Sequence, residues 1–247
     1  MIASLLLALP LAVVEPDGYR LTETTQCFTM YRTTAEGEVK FGNTLQTVEF
    51  VDHEGVPALR IVIHQYGGDG AFDMRDTFLL ARKDLKPIEF QSRFRSTRGR
   101  SHDVDLRYTD DRVAGSRTKN GETAAIDLPL SNPVWEGNLW GLTFAALPLE
   151  ADAHFELPFY QYDKGIGAFE ADVTGSETVA TDGGPVEAWV VDAGLVDGAH
   201  SRYLIGKSPA IELGYGSAGF RQSPGGDCSH LSAGKRAADG APESPQG

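Results

Sequence analysis

Six histidines, His53, His64, His102, His154, His200 and His230, are the residues best suited to metal binding or proton transfer. The nearest approach to a ligand cluster is His102-Asp103 with Asp105, but period-two alternation would send His102 and Asp103 to opposite faces of a strand. Cys228 with His230 supplies too few ligands for a closed zinc site. Asp69, Asp73 and Asp76 among Gly67, Gly68 and Gly70 suggest a calcium loop, yet they miss the 1-3-5 ligand positions and lack a bidentate Glu. A solvated hairpin loop explains them better. Nucleophilic catalysis by serine needs a base in reach and a strained turn, and no G-x-S-x-G occurs. Ala114-Gly115-Ser116-Arg117 and Thr174-Gly175-Ser176-Glu177 read as turn or strand. With 35 acids in the chain, spacing singles out no carboxylate pair for glycoside chemistry. The residues therefore point to no catalysis, no metal and no cofactor.

The elements that would position any site are strands. Leu59, Ile61 and Ile63 oppose Arg60 and His64; Ile88, Phe90 and Phe94 oppose Glu89, Gln91, Arg93 and Arg95. Val104, Leu106 and Tyr108 oppose Asp103, Asp105 and Arg107, and Phe169, Ala171 and Val173 oppose Glu170, Asp172 and Thr174. Each set predicts a half-buried strand. Turn sequences separate them at short intervals: Lys83 to Pro87, Ser96 to Arg100, Thr109 to Asp111, Thr181 to Pro185, and Asn120-Gly121, the pair that suits a type I′ hairpin. Such spacing leaves no room for repeated crossover helices and predicts an antiparallel sheet.

One segment departs from this pattern. Asn132 and Pro133 can start a helix, and Val134 to Leu147 carries Trp135, Leu139, Leu142 and Ala146 at helical spacing before Pro148. Trp135, Leu139, Trp140 and Phe144 are the candidate cavity-lining residues. Such a helix either lines a cavity on a curved sheet or plugs that sheet as core.

Met1 to Val14 forms an uncharged apolar run, too short to span a bilayer, and is expected to be a signal peptide. Residues 15–222 are expected to form a single β-rich domain. Residues 223–247, rich in Ser, Gly, Pro and Ala, are expected to be a disordered tail. The mature chain is then periplasmic or secreted, with no membrane span. There Cys27 and Cys228 either form one disulfide or remain separate thiols. The net charge of -13 belongs to the folded part, because Lys235 and Arg236 offset Asp239 and Glu243 in the tail. That sign repels phosphate, so no nucleic acid is expected as a partner; the remaining partners are an apolar ligand or another envelope protein.

Two stretches resemble an exported family, domain of unknown function 3108. They are Asp76 to Phe94, with its Leu85-Lys86-Pro87 turn, and Gly167 to Lys207, with its Val173-Thr174-Gly175 strand and closing Lys207. Trp135 to Leu149, ending in Ala146-Leu147-Pro148-Leu149, also fits. The closing strand departs from the family in reading Tyr203-Leu204-Ile205-Gly206 before Lys207. The resemblance implies a mostly β fold: a long twisted antiparallel sheet curled into an incomplete barrel, like that of periplasmic lipoprotein carriers, with one short helical insert. It implies no activity and no site residue. Three roles remain, in this order: a non-catalytic binding protein or carrier for an apolar or lipid-like ligand, an envelope assembly or interaction module without a pocket, and a hydrolase.

Overall fold

The structure, a computed structural model, describes residues 14–196 and 198–231. The strands are β1 (Thr24–Thr34), β2 (Gly37–His53), β3 (Val56–Gly67), β4 (Phe72–Ala81), β5 (Pro87–Ser96), β6 (Ser101–Thr109), β7 (Arg112–Lys119) and β8 (Glu122–Pro129). After the short β9 (Trp135–Glu136) and the helix α1 (Trp140–Ala145) come β10 (His154–Gln161), β11 (Gly165–Thr181), β12 (Gly184–Leu195), β13 (His200–Gly206), β14 (Glu212–Ser217) and β15 (Phe220–Pro224). All fifteen strands share one sheet in the order β8 to β1, then β15 to β9. It is a meander in two arms, sewn together by the pairing of β1 with β15, and it does not close into a barrel.

Every pairing is antiparallel except that of β9 with β10. Asn120 and Gly121 both have positive φ, as a type I′ turn between β7 and β8 requires. The alternating residues named from sequence point as expected: Leu59, Ile61, Phe90, Val104, Leu106, Tyr108, Phe169, Ala171 and Val173 are all buried in one core. Ile88 is the exception. A bulge pairs Leu79 with Glu89 but Leu80 with Pro87, so Ile88 has no partner and is only half-buried.

The sheet curls until its two arms face each other. Phe90 of β5 stacks on Tyr162 beyond β10 at 6.0 Å, and the Tyr108 hydroxyl of β6 donates to Glu136 of β9. One end of the interior is dry: Val48, Ile61, Phe78, Phe90 and Leu106 stand in register there, with Leu59 and Leu80 beside them. Residues 14–21 close that end, where Asp17 N–H donates to Ala146 O at 2.9 Å and Leu21 is buried.

The expected helix over Val134 to Leu147 is shorter than its pattern. Trp135-Glu136 pairs with β10 instead, Gly137 N–H donates to Tyr160 O at 2.8 Å, and a turn over Gly137 and Asn138, with Leu139 N–H donating to Glu136 O at 3.3 Å, delays the helix to Trp140. Only Trp140–Ala145 is helical, with no side-chain cap at Leu139.

The tail expected from residue 223 also starts too early. Ser223 and Pro224 lie in β15 opposite Thr29 and Phe28. Residues 225–231 then strap the outer face of β1 to β3. Gly225 N–H donates to Cys27 O at 2.8 Å, Thr29 Oγ1 donates to Gly225 O at 2.9 Å, and the His230 ring meets Tyr66 edge-on at 5.4 Å. Cys27 and Cys228 form a disulfide, with Cα atoms 5.8 Å apart. Gly226, at φ +119°, lies so close to β1 and β2 that a Cβ would sit 2.5 Å from Thr29 Oγ1. A strap held by backbone hydrogen bonds and one covalent link needs no large apolar residues. It accounts for the burial of β2 on both faces from Asn43 to Val48. The expected leader, apart from Val14, and residues 232–247 lie outside the described residues.

Candidate binding cavity

Away from its dry end the concave face becomes polar, one row of residues at a time. The register runs Gln26, Gln46, Ile63, Asp76, Ser92, Val104, Arg117 across β1 to β7. The next row runs Phe28, Thr44, Gln65, Met74, Phe94, His102, Lys119. Facing these rows from the other arm are Trp140, Phe169, Tyr203 and Tyr215. Between them lies a cavity of about 450 Å³, within the ordinary range for small-molecule sites. Aromatic packing makes its far wall rigid: Trp140 stacks on Phe169 at 3.9 Å between ring centroids, and Tyr203 stacks on Tyr215 at 5.3 Å.

Two buried acids border the cavity, Asp76 from β4 and Glu212 from β14. Asp76 is 8% exposed, interacts with the Ser92 hydroxyl through one oxygen, and leaves Oδ1 without a partner. Burial pushes its carboxyl up to about 6. Glu212 is 6% exposed and accepts from Gln46 Nε2 at 3.0 Å; burial alone raises it to about 7. Its carboxyl packs onto Gly141 of α1, where a Cβ would lie 2.2 Å from Glu212 Cδ. That contact requires glycine in the first turn of the helix.

A third acid, Glu136, is buried but stands off the wall. Burial raises it to about 7 against the pull of the Tyr108 hydroxyl, Asn138 N–H at 3.2 Å and Asn138 Nδ2 at 2.6 Å. Asn138 passes the network on to Gln161, whose Nε2 donates to Asn138 Oδ1 at 2.9 Å.

Ser92, Asp76 and His102 also form a chain, with Ser92 Oγ 2.8 Å from His102 Nε2. The serine is the middle member and only 1% exposed. A Ser-His-Asp triad instead places the histidine between the other two and exposes the hydroxyl. The trio works as a hydrogen-bonded brace across β4, β5 and β6. Burial pushes the His102 imidazole down, and its ring stacks on Phe94 at 5.3 Å.

Of the residues proposed from sequence to line a cavity, Leu139 and Trp140 are on this wall. Trp135 and Phe144 are not. Trp135 donates through Nε1 to Asp84 O at 3.0 Å near the dry end, and Phe144 is fully buried against Tyr203 and Phe169. The segment thus divides between the two alternatives, with Trp135 and Phe144 packed as core and Leu139 and Trp140 bordering the cavity. His102 and Asp103 do point to opposite faces, Asp103 pairing outward with Arg95 at 2.8 Å. Asp76, read as part of a solvated loop with Asp69 and Asp73, lies instead inside β4; Asp73 faces outward to His64 at 3.0 Å. Among the described residues no three His, Cys, Asp or Glu side chains converge as a metal site, and no helix is long and apolar enough to cross a membrane.

Sequence reasoning overlooked Gln46 and Glu212 and misplaced Asp76. A signal for Asp76 was present: Phe72, Met74, Asp76, Phe78 and Leu80 form one alternating set, and an acid within an inward apolar series is a buried acid.

No curated protein matches the chain. A solved structure does: the β-barrel-like protein of the domain of unknown function DUF1849 from Brucella abortus. It is similar with a TM-score of 0.50 and 12% identity, over 83% of this chain and 97% of that one. At that identity the likeness extends to the fold alone. The family model described as protein of unknown function, DUF3108, matches residues 27–210, and the chain belongs to that family.

Proposed function

We propose that this is an exported, non-catalytic binding protein or carrier that takes a lipid-like, amphipathic ligand into the space between its two arms. The observation that carries the reading is the cavity itself. It is lined by stacked aromatic rings at Trp140, Phe169 and Tyr203 and by hydrogen-bonding groups at Gln46, Asp76 and Glu212. An apolar body would lie against the rings and a polar head against the acids. Export is supported by the apolar run before Glu15 and by the Cys27–Cys228 bridge, which suits an oxidising compartment. Native mass spectrometry of protein purified from its own cell envelope tests this. A bound mass that organic extraction removes, and that Trp140→Ala reduces, is expected. A single ligand-free species from wild-type protein would overturn the proposal.

One observation favours a second reading, an envelope interaction module. The edge strand β8 is exposed along most of its length and, among the described residues, pairs only with β7, which leaves its other edge open to strand addition. In-cell cross-linking from Ala125 should then recover one recurrent partner, and labelling of scattered proteins would count against it.

A further inference from the structure

Resting on the binding reading above, we infer that the ligand's polar head is a primary ammonium group, seated by the side chains of Asp76, Gln46 and Glu212. The orphaned atoms on the cavity wall carry the argument. Gln46, 2% exposed, commits its Nε2 to Glu212, so its Oε1 is left unpaired. Asp76 commits itself to Ser92 and leaves Oδ1 unpaired. Both orphans are acceptors, and both belong to residues more than nine-tenths buried. A buried acceptor without a donor costs about 1–3 kcal/mol. The complement missing from the site is therefore a group rich in N–H donors.

The three side chains line one cavity. Gln46 and Asp76 flank Ile63 in one row of the concave face, and Glu212 reaches the same row through its bond to Gln46. A primary ammonium offers three N–H donors to the acceptors along that row. No ion pair reaches either carboxyl among the described residues, so the counter-charge is not supplied from within that part of the chain. Among the described residues that border the cavity Lys164 alone is basic, and it is exposed in the turn between β10 and β11, while Arg117 stands three strands from Asp76 along its row. Burial raises Asp76 to about 6 and Glu212 to about 7, so at neutral pH the pair carries roughly one to two negative charges, and a bound cation favours the ionised forms. The single positive charge of an ammonium matches that buried negative charge, which is otherwise unpaired among the described residues.

The test is isothermal titration calorimetry of the intact, disulfide-bonded protein with four probes that share one chain: octylamine, octyltrimethylammonium, octanol and octanoate. Octylamine should bind at least tenfold tighter than octanol and than octyltrimethylammonium, which has charge but no N–H, and octanoate should bind weakest. Asp76→Asn and Glu212→Gln should each lower octylamine affinity at least tenfold. If octanol or octyltrimethylammonium binds as tightly as octylamine, or if both folded variants keep wild-type octylamine affinity, the head-group inference falls and the carrier reading stands. If none of the four binds, the carrier reading itself falls. The wild-type series decides the matter even if a variant fails to fold.

Discussion

Replacing Glu212 by Gln should make the protein more stable at pH 8 and leave it unchanged at pH 4. Burial raises the folded-state value of this carboxyl from its ordinary 4.5 to about 7. Below pH 4.5 both folded and unfolded chains hold the proton. Between 4.5 and 7 the unfolded chain releases it while the folded chain keeps it, so stability falls as pH rises, and above 7 the loss is complete. At about 1.4 kcal/mol per pH unit, the difference amounts to about 3 kcal/mol. Glutamine keeps the acceptor for Gln46 Nε2 and carries no charge, so Glu212→Gln escapes this loss. Urea unfolding at pH 4 and pH 8 measures it directly. Melting temperature offers a second reading, since 1 kcal/mol moves a domain of this size by about 2–4 °C. Wild type and variant should coincide at pH 4 and differ by about 6–12 °C at pH 8, the variant being higher. A difference of equal size at both pH values, or one favouring wild type at pH 8, would refute the assignment of a neutral, desolvated carboxyl.

Other consequences are equally direct. Cys228→Ser, which opens a link between residues 201 positions apart, should cost about 5 kcal/mol in the chain-entropy account and lower the urea midpoint as reduction of the wild type does. Gly141→Ala drives a methyl group into the Glu212 carboxyl and should cost about 1–3 kcal/mol, recovered in part by the pair Gly141→Ala with Glu212→Ser in a double-mutant cycle. Phe144→Ala empties a fully buried ring site shared with Trp140, Phe169 and Tyr203, and a loss of about 3–5 kcal/mol is expected by the same urea titration.

Much of the fold could be read because strand signals are local. Alternation at Leu59 to Ile63 or Val104 to Tyr108 depends only on one buried face, and Asn120-Gly121 encodes a turn through its own φ preferences. What could not be read depends on groups far apart in the chain. The shortening of the helix is set by Tyr160 binding Gly137 N–H, and the order of residues 225–231 by a strand two hundred residues earlier. The cavity has the same origin. Gln46 and Glu212 meet across 166 residues, and nothing in either neighbourhood announces the other. Asp76 alone carried a local sign, an acid in an inward-facing series, and only the pairing of β4 with β3 and β5 shows what stands beside it.

Three buried acids in one interior call for an account, and they do not share one. A core that had only to hold the sheet would be served at least as well by uncharged groups of similar shape. Glu136 fits that structural role: three donors from Tyr108 and Asn138 surround it, away from the open space, and tie β6, β9 and α1's approach into one network. Asp76 and Glu212 are poorer in partners and border the cavity. The contrast yields a last prediction that separates holding from binding. Tyr108→Phe removes a buried hydroxyl donor to a carboxylate and should cost about 1–3 kcal/mol of stability. Because Tyr108 does not border the cavity, octylamine affinity of the folded variant should match wild type, whereas Glu212→Gln should show the reverse pattern, gaining stability at pH 8 and losing the amine. If Tyr108→Phe lowered amine affinity as much as Glu212→Gln, the three acids would form one electrostatic unit and the division between them would be wrong.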